Sequence, residues 1–246
     1  MDRTEGRGWP MSEWAARVRD NWLRVQERID RACRRSGRSP EDVTVVAVTK
    51  YLDVDEMRQL LELGFEHVGE NRAQAAVKKW EQLGERGTWH FIGHLQTNKV
   101  KDVLGRFHYI HSLDRLSLAQ ELDKRAAKAG EPVTCFLQVN VSGEATKSGV
   151  SPEEVKRFVE AIGKLQYIRV VGLMTMAPKT DDPETTRPIF RRLRELRDEV
   201  QAMGIPNVPA KHLSMGMSGD FEVAVEEGAT FVRLGQILYD ATGKGG

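Results

Sequence analysis

Eight short stretches rich in β-branched and apolar residues recur along this chain, and a segment of helical periodicity lies between each consecutive pair. The strand candidates are Val43 to Lys50, His67 to Glu70, Thr88 to Gly93, Tyr109 to Leu113, Val133 to Val141, Arg169 to Met176, His212 to Gly216 and Thr230 to Gly235. The helical patterns between them are Val54 to Leu63, Ala73 to Leu83, Gln96 to Leu104, Arg115 to Lys128, Pro152 to Leu165, Pro183 to Met203 and Gly219 to Glu227. Strands that alternate with helices imply right-handed crossovers and a parallel sheet. Eight such units in 246 residues suit a single (β/α)8 barrel. A doubly wound open sheet competes, but it carries a Gly-rich phosphate turn after its first strand, and here that turn is Lys50-Tyr51-Leu52-Asp53. An extra N-terminal helix precedes the first strand, with Ser12 as its N-cap and a stripe of Trp14, Val18, Trp22, Val25, Ile29 and Ala32. No Pro/Gly/Ser-rich linker divides the chain, so we expect one domain over residues 1–246, with flexible ends at about 1–11 and 241–246.

The first strand candidate, VTVVAVTK, is an unbroken β-branched run that ends in a lysine. Such a run suits a strand buried on both faces, and alternation puts Val46, Val48 and Lys50 on one of them. In a barrel, Lys50 then stands where the carboxyl end of the strand meets the mouth. Two readings follow: the lysine caps a strand and reaches water, or it loses its proton and forms a Schiff base with a carbonyl group. The same alternation brings Asn71, His94, Asn140, Ser214 and Arg233 to the rim, where barrels gather their sites. Strands serving stability alone would end in apolar residues, because unpartnered buried polar groups are costly.

Lysines and arginines (37) nearly cancel aspartates and glutamates (36), so charge advertises neither a nucleic-acid nor a membrane partner. Cys33 and Cys135 read as reduced thiols, the first fifteen residues lack an apolar leader core, and no apolar run is long enough to span a bilayer. A cytoplasmic protein is expected, and a monomer, since a complete barrel of neutral composition requires no partner.

The loops after strands seven and eight often bind phosphate in this architecture. Here they read Leu213-Ser214-Met215-Gly216-Met217-Ser218-Gly219-Asp220 and Arg233-Leu234-Gly235-Gln236. Glycines there let backbone N–H groups approach an anion. A phosphate anchor, an amine on strand one and an arginine facing the space between them suit pyridoxal 5′-phosphate.

At this point the motifs VAVTK, HVGENRAQ, WHFIGHLQTNKVK, QVNVSGEATKSGV, GLMTM and LSMGMSGDFEVAVEEGATFVRLG, from about Val43 to Tyr239, closely resemble the pyridoxal-phosphate homeostasis proteins of the YggS/PROSC type. The resemblance implies a barrel like that of alanine racemase (fold-type III), with Lys50 holding the cofactor as a Schiff base and Arg233 facing the pyridine nitrogen. It places Ser214, Gly216, Ser218, Gly235 and Gln236 at the phosphate and Asn71, Met174 and Met176 along the ring. Gln236 stands where many relatives have threonine, which puts one side-chain phosphate contact in doubt, and Asp240 where glycine is common, which bears only on the course of the last turn.

Arginine stays protonated, so it discourages protonation of the ring nitrogen and leaves the ring a poor electron sink. Racemases with this arrangement use a tyrosine from a second domain, and the sequence ends about eleven residues after strand eight, which leads us to expect that domain to be missing. The expected function is therefore holding and delivery of pyridoxal phosphate within vitamin B6 homeostasis, with apo-enzymes as recipients. The alternative is a low-activity racemase or lyase acting on amino acids. Lys147, in the loop Ser142 to Gly149, is a candidate transient acceptor of the aldehyde. A metal hydrolase is disfavoured because His90 and His94 lack an accompanying carboxylate, and a ligand-free scaffold would leave the polar rim without purpose.

Overall fold

The computed structural model describes residues 11–145 and 147–241. The ends expected to be flexible fall outside them, save for residues 11 and 241, as does Thr146 in the loop of Lys147. The chain runs α1 (Glu13–Ser36), β1 (Thr44–Val48), α2 (Val54–Glu62), β2 (His67–Glu70), α3 (Ala73–Leu83), β3 (Thr88–Phe91), α4 (Val100–Val103), β4 (Tyr109–Leu113), α5 (Leu116–Ala129), β5 (Val133–Gln138), α6 (Val155–Ile162), β6 (Ile168–Met174), α7 (Arg187–Ala202), β7 (His212–Ser214), α8 (Phe221–Glu226), β8 (Phe231–Leu234) and α9 (Gln236–Tyr239). All eight strands pair in parallel with their sequence neighbours, and β8 pairs with β1 to close the barrel.

Local chemistry sets the element ends. Ser12 Oγ accepts the Ala15 N–H at 3.0 Å to start α1, and Gly37 ends that helix in the left-handed region at φ 68°. Asp53 and Glu56 cap α2 reciprocally, at 2.8 and 2.9 Å. Where strands were expected to run on to Lys50, Gly93, Val141, Met176 and Gly216, the ladders stop earlier. The trailing residues build the mouth instead: Thr49 N–H still donates to Gly69 O at 2.9 Å, and Lys50 has left the ladder. The pattern at Gln96 to Leu104 forms a 3₁₀ turn (Thr97–Lys99) and then α4, while α9 was not foreseen.

Two packed layers result. Most of the core lies between sheet and helices, with Ala47, Met57, Leu60, Leu122, Val159 and Phe190 among its buried members. A separate cluster of Val46, Phe136, Met174 and Phe231 fills the barrel interior. Val46 inside and Ala47 outside reproduce the alternation expected of the first strand. At the β8–β1 seam, Val46 is in register with Arg233 and Ala47 with Leu234. The helix α1 lies against α8 and α9 beside that seam, where Asn21 Nδ2 donates to Leu238 O (3.1 Å) and Asp240 O (3.0 Å) and Arg28 pairs with Glu222 at 3.1 Å.

Candidate binding site at the carboxyl rim

Lys50 stands two residues beyond the end of β1, exposed, with its Nζ 4.9 Å from the centre of the Tyr51 ring. The turn that carries it is pinned from behind. Lys79 Nζ donates to Thr49 O at 2.8 Å and pairs with the buried carboxylate of Glu70 at 2.6 Å, which fixes the backbone next to Lys50. Burial raises the Glu70 pKa, and Lys79 opposes that shift.

Across the seam, Arg233 is buried on β8. Its Nη1 donates to Ser214 Oγ, and its Nη2 donates to Thr175 O at 3.1 Å. Burial draws the guanidinium down to about 10 and the nearby Asp220 carboxylate opposes this, so it remains cationic at neutral pH. Asp220 is itself raised by burial, although its Oδ1 accepts the Met217 N–H at 2.7 Å.

The two glycine turns meet beside these groups. Gly216 adopts φ 98°, and a Cβ placed there would come within 2.6 Å of Ala224 Cβ, so only glycine lets α8 close onto the turn. Ser218 Oγ accepts the Ile237 N–H at 3.3 Å, tying the β7 turn to the first turn of α9. Gly235 packs beside Val48, and Gln236 is exposed at the start of α9.

The other expected residues divide. Met174 is fully buried in the barrel interior and Met176 is partly exposed. Asn71 follows β2 and borders, with Arg72, Lys78, His94 and Lys99, a lateral cavity of about 560 Å³. His94 borders that cavity too, 3.6 Å from Asp114 Oδ2. Just before it the chain runs close to the β2 turn: a Cβ at Gly93 would lie 2.3 Å from Asn71 O. Asn140 Nδ2 donates to Glu144 O at 2.8 Å and so braces its own loop, in which Lys147 pairs with Glu144 at 2.6 Å. Ser214 Oγ is already engaged by Arg233 and His111, so its hydroxyl points beneath the mouth.

Among the described residues, no group of three or more His, Cys, Asp or Glu side chains is arranged to hold a metal ion. His90, expected to be a packed or hydrogen-bonded strand residue, is fully buried between two other histidine rings. Sequence reasoning missed His67 and His111 as its neighbours, although all three lie on the inward parity of consecutive strands. Both cysteines are free and buried, and burial pushes the Cys135 thiol up to about 12. No described helix is long and apolar enough to cross a membrane.

Residues 15–242 match the family described as alanine racemase, N-terminal domain. A pyridoxal phosphate homeostasis protein of Aquifex aeolicus is 48% identical over 217 residues, covering 88% of this chain and 94% of that protein. One of Pseudomonas aeruginosa is 38% identical over 225 residues, covering 91% and 95%. The structure of PipY from Synechococcus elongatus with PLP bound matches with a TM-score of 0.78 at 30% identity, over 90% of this chain and 99% of that one. An alanine racemase of Clostridium difficile shares the fold, with a TM-score of 0.69 at 20% identity over 91% of this chain and 56% of that one.

Proposed function

The chain belongs to the alanine racemase N-terminal domain family and, within it, to the pyridoxal phosphate homeostasis proteins, and from that premise we propose that it holds pyridoxal 5′-phosphate reversibly and takes part in intracellular pyridoxal phosphate homeostasis. The observation that carries this reading is the pairing of the first and last strands: β1 leads into a turn that carries an exposed primary amine, and its neighbour β8 carries a buried guanidinium in register with Val46. The donor set fits the cofactor. Lys50 offers an amine, Arg233 a cation on the ring side, and the turns at Gly216, Ser218, Gly235 and Gln236 offer backbone N–H groups to a phosphate.

When bound, the cofactor supplies an aldehyde that condenses with an amine. The chain's own residues then have separable tasks. Lys79 and Glu70 hold the turn from which Lys50 reaches out. Arg233 presents N–H donors and a charge that keeps a neighbouring ring nitrogen unprotonated. Met174 packs in the barrel interior, Asn71 stands on the turn after β2, and Asn140 braces its own loop. These roles favour storage and handover of the aldehyde to apo-enzymes over turnover of an amino acid. Lys147, held by Glu144, becomes available to receive the aldehyde only once that ion pair opens.

The test is direct. Protein incubated with pyridoxal phosphate, treated with borohydride and mapped by mass spectrometry is expected to carry one label at Lys50. Lys50→Ala is expected to stay colourless and unlabelled. A wild-type protein that takes up no pyridoxal phosphate would sink the reading. Rapid exchange of an amino acid's α-hydrogen in deuterated water would replace holding by catalysis.

A further inference from the structure

Below the site, five polar side chains from five strands touch in succession through the barrel interior. His67 Nδ1 on β2 lies 2.9 Å from His90 Nε2 on β3, and His90 Nδ1 lies 2.8 Å from His111 Nε2 on β4. His111 Nδ1 lies 2.8 Å from Ser214 Oγ on β7, and Arg233 Nη1 on β8 donates to the same oxygen. Aromatic rings wall the row: Tyr109 stacks on His90 at 4.7 Å and Phe136 on His111 at 4.3 Å.

Each contact between two ring nitrogens holds one proton, so three neutral rings have only two joint arrangements. With hydrogen on every Nδ1, His111 and Arg233 both donate to Ser214 Oγ, and the serine hydrogen has no acceptor among its contacts. With hydrogen on every Nε2, Ser214 accepts from Arg233 and donates to His111 Nδ1, His111 donates to His90, and His90 donates to His67. Only the second arrangement satisfies every buried group. It also turns each ring's lone pair towards the guanidinium, so the bonds polarise one another in the same sense. The rings are neutral in the folded protein because burial lowers the pKa of all three. The charged or titratable groups facing them are His108, Glu66 and Tyr109 at the His67 and His90 end and Arg233 at the other.

We infer that Ser214, His111, His90 and His67 form a one-way hydrogen-bond chain, every ring protonated on Nε2, that fixes the Arg233 guanidinium under the mouth, with His111 as the positioning residue. The chain is a property of the protein alone. Its use, to keep Arg233 a fixed donor towards a ring nitrogen, rests on the function proposed above.

The experiment uses cofactor-free protein with nitrogen-15-labelled histidine and arginine. The Nδ1 resonances of His90 and His111 are expected to show bare nitrogens, and the Nε2 resonances protonated ones, at neutral pH. His111→Phe keeps the stack on Phe136 but removes the serine's acceptor, and it is expected to speed solvent exchange of the Arg233 N–H groups by about tenfold or more. His111→Gln, whose amide both accepts and donates, is expected to restore slow exchange. Hydrogen on His111 Nδ1, or unchanged Arg233 exchange in His111→Phe, overturns the proposal. Should that variant not fold, the wild-type tautomers decide alone. Failure of wild-type protein to bind pyridoxal phosphate would remove the proposed function and leave these readings intact.

Discussion

The space between sheet and helices and the space inside the sheet are packed by different rules. Outside, Leu60, Leu122, Val159, Phe190 and Leu193 meet as hydrocarbon on hydrocarbon, and no distance between them has to be exact. Inside, Val46, Phe136, Met174 and Phe231 share the volume with three histidines, Ser214 and Arg233, whose polar atoms must each meet a partner. The outer layer supplies stability through area removed from water. The inner one gives up some of that for groups held at fixed positions, because a buried polar row is worth having only when every member is satisfied.

This contrast can be broken by removing atoms from one layer at a time. The largest effect is expected in the outer layer. Phe190→Ala, at a site with no exposure, should cost about 3–5 kcal/mol in denaturant unfolding. It should leave borohydride labelling at Lys50 unchanged wherever the protein remains folded; lost labelling would mean that the layers are not independent. Next comes Gly216→Ala, where the left-handed φ and the Ala224 contact together should cost about 1–3 kcal/mol. Because this turn belongs to the mouth, weaker uptake of pyridoxal phosphate should accompany the loss, and a stability change alone would detach Gly216 from the site.

The smallest step per unit change belongs to acid. His90 and His111 are depressed in the folded state, so the unfolded chain binds more protons below its ordinary histidine pKa near 6.5. Their contribution to stability is complete above that value. It should fall by about 1.4 kcal/mol per pH unit for each ring as pH drops below about 6.5 and before the folded protein protonates it. His90→Phe should flatten the slope between pH 6.5 and 5, as read by unfolding at fixed denaturant. An unchanged slope would show that the interior rings are not neutral.

The two layers also differed in how far the sequence disclosed them. Periodicity shows which side of each helix is apolar, and that is all the outer layer needs; Val18, Val25, Ile29 and Ala32 of the α1 stripe are buried as the chain predicts. The count of strands, their parallel order and the inward parity of Val46 and Arg233 follow from the same alternation. Lys50 and Arg233 stood out as candidates because a charge at the end of a buried strand is conspicuous. Alternation discloses neither the approach of His94 to Asp114 nor the close crossing of Gly93 over the Asn71 backbone. The histidine row was missed because parity puts a side chain inside without naming what it meets there, and only closure of the barrel brings Ser214 to His111.

That closure has a consequence for how the protein is made. Lys50 stands just past the first strand and Arg233 on the last, and the strands that carry them become neighbours only through the β8–β1 seam. Contacts between such distant positions form late, since the entropy of closing the loop is spent before they stabilise anything. A nascent chain on the ribosome therefore carries the Lys50 amine long before β8 has paired with β1. Under the function proposed above, it gains the power to hold an aldehyde only when its final strand has emerged and docked.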